Sequence, residues 1–100
     1  MYHLTFFDYS NKFICYLKDI DGDFITFTYD FKEAGHSIHK ENFNYIVSLI
    51  GVQCLHSTLE YSKSFITKKD FKTIESGSFK TKILTIGEIR KLKIKKIFEN

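Results

Sequence analysis

Lys12-Phe13-Ile14-Cys15-Tyr16-Leu17-Lys18-Asp19-Ile20-Asp21-Gly22-Asp23-Phe24-Ile25-Thr26-Phe27-Thr28-Tyr29-Asp30-Phe31 is the stretch that decides the fold. Two runs rich in aromatic and β-branched residues flank Asp21-Gly22, a dipeptide that accepts the positive backbone angles of a type I′ turn, so the segment reads as a β-hairpin. A two-residue turn there sets Ile20 opposite Asp23, Lys18 opposite Ile25, Tyr16 opposite Phe27 and Ile14 opposite Tyr29. Because side chains alternate across a strand, one face is expected to carry Ile14, Tyr16, Ile25, Phe27, Tyr29 and Phe31. The other face is expected to carry Phe13, Cys15 and Leu17 beside Thr26 and Thr28. The first face needs a core; the second, half apolar, needs cover from this chain, a second copy or a target.

Outward from the hairpin, Tyr2 to Phe7 reads as a strand joined to it by a turn at Ser10-Asn11, which makes the N-terminal third an antiparallel meander. Phe43, Ile46, Val47 and Ile50 follow at helical spacing after a Ser37 cap, with Gly51 where a left-handed C-terminal residue is wanted. Val52 to Tyr61 alternates as a strand, extending toward Ile66. A shorter helix, capped by Thr67 and stopped at Gly77, carries Phe71 and Ile74. Phe79 to Thr85 reads as a strand, and Thr85 with Glu88 forms a capping box that starts a short helix bearing Ile86, Ile89 and Leu92. Carried on to Phe98, that helix would bring Arg90 and Lys93 into its apolar arc, so a strand is expected from Leu92; a hairpin turning at Gly87-Glu88 is the rival. The expected fold is α+β, one domain over residues 1–100. Its antiparallel sheet has five or six strands, with a main helix at about 39–50 and a shorter one at about 68–76.

The composition fits that class. Of 100 residues, 43% are apolar and 17% aromatic, with 11 Phe and 6 Tyr, which supplies a core that a disordered chain lacks. No window approaches the roughly 18 apolar residues of a membrane span, and Met1 to Asp8 does not look like a secretion signal. With only Cys15 and Cys54, both expected as thiols, the expected setting is cytoplasmic, without membrane attachment. Lys outnumbers Arg by 14 to 1 and Ile outnumbers Val by 13 to 2, a pattern of AT-rich codon usage that accounts for part of the lysine content.

The net charge of +3 is unevenly spread: residues 1–50 hold 4 Lys against 7 acids, and residues 51–100 hold 11 basic residues against 5 acids. Lys80, Lys82, Arg90, Lys91, Lys93, Lys95 and Lys96 crowd the stretch from Ser78 to Phe98, opposed there by Glu88 alone. Such a strip attracts polyanions and acidic protein surfaces.

Signatures of chemistry are sparse. His36-x-x-His39 with Glu41, joined by Cys54 and His56 if Val52 to Tyr61 is a strand, is a ligand set that zinc would accept, but the spacing is not a characteristic one. Asp19-Ile20-Asp21-Gly22-Asp23 looks like the start of a calcium loop, yet Phe24 stands where the loop needs glycine. All five glycines are isolated, so no phosphate-cradling loop is present. No metal or cofactor is expected. A small metal-independent ribonuclease would draw on His36, His39, His56, Glu60 and Lys63. An RNA-binding domain would use the aromatics interleaved with lysine in Phe79-Lys80-Thr81-Lys82 and Lys93 to Phe98.

The favoured expectation is a small non-enzymatic binding protein that occludes a partner surface. Its setting would be a phage or mobile-element inhibitor of a host defence complex, or an immunity protein against a toxin. The strip from Lys80 to Lys96 would meet an acidic protein or protein–nucleic-acid complex, and Phe13, Cys15 and Leu17 would form the desolvated centre of the contact, with a homodimer also compatible with that face.

Overall fold

A computed structural model describes residues 2–21, 24–32, 40–56, 59 and 65–98, with the backbone alone at 40, 55, 56 and 93–98. It is an α+β structure with strands β1 (His3–Phe7), β2 (Phe13–Asp21), β3 (Phe24–Thr28) and β4 (Lys80–Leu84), and helices α1 (Phe43–His56), α2 (Lys68–Glu75) and α3 (Ile86–Phe98). The four strands form one antiparallel sheet in the order β3-β2-β1-β4, so among the described residues the expected five or six strands reduce to four.

The meander is present, with its side chains redistributed. Asp21 pairs with Phe24 and Ile20 with Ile25, so the hairpin loop falls one residue later than Asp21-Gly22, on residues 22–23, which lie outside the described residues. That slide moves each partner by two positions and leaves the faces unchanged. A shift of register between Leu17 and Asp19 does change them: below it Leu17 pairs with Phe27 and Tyr16 with Thr28. One extra residue in β2, Lys18, flips every side chain beyond it relative to β3. Cys15 and Leu17 therefore join Ile25 and Phe27 in the main core, and Tyr16 goes to the opposite side with Phe13 and Phe31. A second irregularity, between Phe6 and Phe7, leaves Ile14 unpaired with β1 and lets Ile14 and Cys15 both reach the main core.

The turn between β1 and β2 is built by Asp8 and Asn11. The Asp8 Oδ1 accepts the backbone N–H groups of Ser10 and Lys12, at 2.8 and 2.9 Å. Asn11 takes a left-handed φ of 64°, which asparagine tolerates better than other residues with a side chain.

On one side of the sheet, α1 and α2 cover Leu4, Phe6, Leu17, Ile25 and Phe27 with Ile46, Ile50, Phe71 and Ile74. Helix α1 begins after a 3-10 turn at Lys40–Asn42 and does not stop at Gly51. One exposed glycine costs a helix about 1 kcal/mol relative to alanine, less than the roughly 1.5–3 kcal/mol that burial of the preceding Ile50 contributes. The strand expected from Val52 is thus, as far as His56, the last turn of a helix; Ser37 and most of residues 57–64 are outside the described residues. Nothing lies within 4 Å of where a Cβ at Gly51 would stand. Gly51→Ala is therefore expected to stabilise the protein by about 0.5–1 kcal/mol and to raise its melting temperature by about 3–6 °C; a lower melting temperature would mean the helix breaks there.

Helix α2 follows its local signals closely. The Thr67 Oγ1 accepts the Asp70 N–H at 3.2 Å as N-cap, and Gly77, at φ 76°, closes the far end. There the Gly77 N–H reaches the Ile74 carbonyl and the Ser78 N–H the Thr73 carbonyl, the paired bonds of a Schellman motif. The Tyr29 hydroxyl donates to Asp70 and accepts the Thr67 N–H, tying the end of β3 to the start of α2.

Helix α3 departs most from expectation: the capping box forms, but the helix runs to Phe98 instead of yielding to a strand at Leu92 or turning back at Gly87-Glu88. The Glu88 N–H bonds the Thr85 Oγ1 at 3.2 Å, and the Thr85 N–H reaches the Glu88 carboxylate at 3.4 Å. Only the first turns need an apolar contact, which Ile89 makes against Phe7, Tyr16 and Leu84 on the second side of the sheet. Arg90 and Lys91 remain exposed, so a basic residue within the arc carries no burial penalty. No helix among the described residues is long and apolar enough to cross a membrane.

Candidate functional site

The C-terminal basic strip falls on two elements, the edge strand β4 and helix α3. Alternation along β4 sends Lys80, Lys82 and Leu84, paired with Phe7, Thr5 and His3, to the second side of the sheet. Helix α3 then crosses that side with Ile89 inward. Between them lies a groove of about 450 Å³. Phe7, Leu84 and Leu92 give it apolar walls, Lys82, Lys91 and Glu88 give it charge, and Asn11 completes the lining. The Lys82 ammonium sits 5.3 Å from the centre of the Phe7 ring, near enough for a cation–π attraction.

Of the basic residues singled out in the sequence, Lys82 and Lys91 meet at this groove. The Lys80 ammonium is directed instead to the Asn11 side-chain oxygen, at 2.6 Å, where it braces the β1–β2 turn. Arg90 is exposed on α3 outside the lining, and for Lys93, Lys95 and Lys96 the backbone belongs to α3. Glu88 is engaged with Thr85 in the capping box, so the groove's one carboxylate already has hydrogen-bond partners.

Phe13, Cys15 and Leu17 do not form an outer face. Cys15 is wholly buried and Leu17 is 9% exposed, both under α1 and α2, while Phe13 packs at the margin of the second cluster with Phe7 and Tyr16. Of the half-apolar face that wanted cover, Cys15 and Leu17 thus receive it from the helices of the main core, and Phe13 packs against the second cluster, which Ile89 of α3 completes. The apolar surface nearest the basic residues is instead Leu84 and Leu92, which the strand and helix periods had placed in separate elements. A joint signal existed in Lys80-x-Lys82-x-Leu84, which puts two lysines and a leucine on one strand face.

Neither cysteine has the chemistry of a nucleophile. Both are free thiols. Burial drives Cys15 far above the usual thiol range, and Cys54 is raised by burial and then by the charge of Glu75, so the thiolate is disfavoured at both. The Cys54 Sγ donates to the Ile74 carbonyl at 3.0 Å, joining α1 to α2. Cys54 and His56 stand two residues apart on a helix and not on a strand. His36, His39, Glu60 and Lys63 lie outside the described residues. Among the described residues no group of three or more His, Cys, Asp or Glu is placed to hold a metal ion.

His3, opposite Leu84 and edge-on to Phe31 with ring centres 5.2 Å apart, has a buried Nδ1 without a hydrogen-bond partner among the described residues. Burial first, and the positive N-terminus second, hold its pKa below the ordinary value of 6.5. The unfolded chain therefore binds this proton at a higher pH than the folded one, and stability falls as pH drops through 6.5 toward the folded value. His3→Phe should remove this component: compared with wild type in urea titrations at pH 7 and pH 5, the variant gains relative stability at the lower pH. A difference that does not change with pH would show that His3 contributes nothing to acid sensitivity.

The chain matches no family model, no curated protein and no solved structure. What it can do is argued from the groove's own residues.

Proposed function

We propose that the protein is a small non-enzymatic binding protein that occludes an acidic protein surface, with the β4–α3 groove as its contact site. One observation supports this above others: Lys82 and Lys91 flank a concavity with apolar walls, which suits a partner that offers carboxylates beside an apolar side chain. Stoichiometric inhibition, of a host defence complex or of a toxin, is the activity such an occluding domain would have.

Nucleic acid is the less suited polyanion, because single strands are held by aromatic platforms beside the positive charge. Among the described residues the exposed aromatics Tyr9, Phe24, Tyr29 and Tyr45 are in the β1–β2 turn, on the hairpin tip, at the end of β3 and on α1, none of them lining the groove. Tyr9, the nearest in sequence to a lining residue, directs its hydroxyl to the Gly77 carbonyl, and the aromatic within the lining, Phe7, is 4% exposed. The test is affinity capture from cell lysate by the tagged chain, with and without nuclease. A defined protein held in both conditions is the expected result. Material that vanishes on nuclease treatment would transfer the function to nucleic-acid binding.

A further inference from the structure

We infer that the outer edge of β4 accepts an extended acidic segment of the partner as a fifth strand of the sheet. This rests on the groove function proposed above and gives the partner a backbone conformation and a side-chain pattern. β4 ends the sheet, and among the described residues it pairs with β1 alone. An edge strand presents backbone N–H and C=O groups that an added strand can satisfy, while side chains on alternate faces confer selectivity.

The pattern β4 offers is regular. Lys80 and Lys82 stand on the groove side, with Lys91 across the groove from Lys82. Thr81 and Ile83 stand on the other side, paired with Phe6 and Leu4 of the main core. The complementary strand carries Asp or Glu opposite the two lysines and β-branched apolar residues opposite Thr81 and Ile83, one residue type on each of its faces. A second copy of this chain does not fit: antiparallel pairing of two β4 strands centred on Lys82 sets Lys82 against Lys82. Lysines on the edge thus oppose self-pairing while leaving the backbone open to a strand of opposite charge.

The probe is a blocked peptide of about nine residues alternating Glu and Val, compared with the same peptide N-methylated at alternate backbone positions, which keeps the charges and abolishes strand pairing. The parent peptide should bind, slow the exchange of alternate β4 amides, and exceed its N-methylated form in affinity by about tenfold or more. Equal binding of the two peptides, or no binding of either by a chain that still captures its protein partner, overturns strand addition while leaving the occlusion function standing. Failure of the peptide and of lysate capture together overturns both. In a Lys82→Gln/Lys91→Gln variant, which keeps the Lys80 brace on Asn11, the parent peptide should lose affinity; retained affinity would also count against the assignment.

Discussion

Replacing Phe6 by Ala is expected to remove about 3–5 kcal/mol from the free energy of unfolding, the largest loss anticipated for one substitution in this chain. Phe6 lies in β1, flanked by β2 and β4, and has no solvent exposure. Its ring meets those of Phe27 and Phe79 edge-on, each with centres 5.3 Å apart. Alanine would empty a space bounded by sheet backbone and two helices, elements that cannot close in without breaking their own hydrogen bonds, and would also forfeit two aromatic contacts worth about 0.5–1.5 kcal/mol each. A domain of this size has only about 5–15 kcal/mol in total. Urea denaturation of wild type and variant checks the value directly, and Phe6→Leu, which keeps most of the volume, should lose clearly less. A loss under about 1 kcal/mol for the alanine variant would mean that Phe6 is not at the centre of the packing.

Phe6 also shows where sequence reasoning succeeds. Its place in an N-terminal strand shows in the aromatic and aliphatic residues around it, while the Thr67 cap and Gly77 stop of α2 and the Thr85/Glu88 capping box are decided within a few residues, by hydrogen bonds between near neighbours or by one backbone angle. Such features are legible because no distant residue has to be known. The register of β2 is a different matter. From Phe13 to Leu17 every residue is apolar, since this strand is covered on both sides, and a run without alternation cannot say which member faces which core. The extra residue at Lys18 leaves no mark in composition, yet it turns Cys15 and Leu17 inward and removes them from any surface.

The helices went astray for a tertiary reason. Gly51 and Arg90 in the arc of α3 are both unfavourable by local criteria, but each is exposed, and an exposed blemish costs a helix less than the packing of its other residues returns. Ile50 before Gly51, and Ile89 ahead of Arg90, anchor the two segments. The groove was equally hidden, because Phe7, Lys82, Leu84, Lys91 and Leu92 come from three elements whose approach depends on strand order and on α3 staying helical. Legible beforehand was the excess of positive charge; illegible was which two ammonium groups would share a concavity.

Reversing those two charges should abolish partner capture and leave the fold intact. In Lys82→Glu/Lys91→Glu, attractions to an acidic surface become repulsions inside a groove with low-polarity walls, where like charges cost several kcal/mol; a loss of at least about 100-fold in affinity is expected. Both side chains are exposed, and the fold loses only the cation–π contact of Lys82 with Phe7, about 0.5–1 kcal/mol. Circular dichroism and melting temperature should therefore stay close to wild type. The necessary control is Lys68→Glu/Lys69→Glu, two exposed lysines in the first turn of α2, where acidic residues suit the helix dipole. Each pair moves the formal net charge from +3 to −1, so the two variants differ only in where the charge is changed. If capture is lost in the groove variant and kept in the α2 variant, contact at the β4–α3 groove is responsible. Equal losses would reduce the effect to long-range attraction of the whole molecule, which salt would screen alike in both, and unchanged capture in the groove variant would remove the groove from the interface altogether.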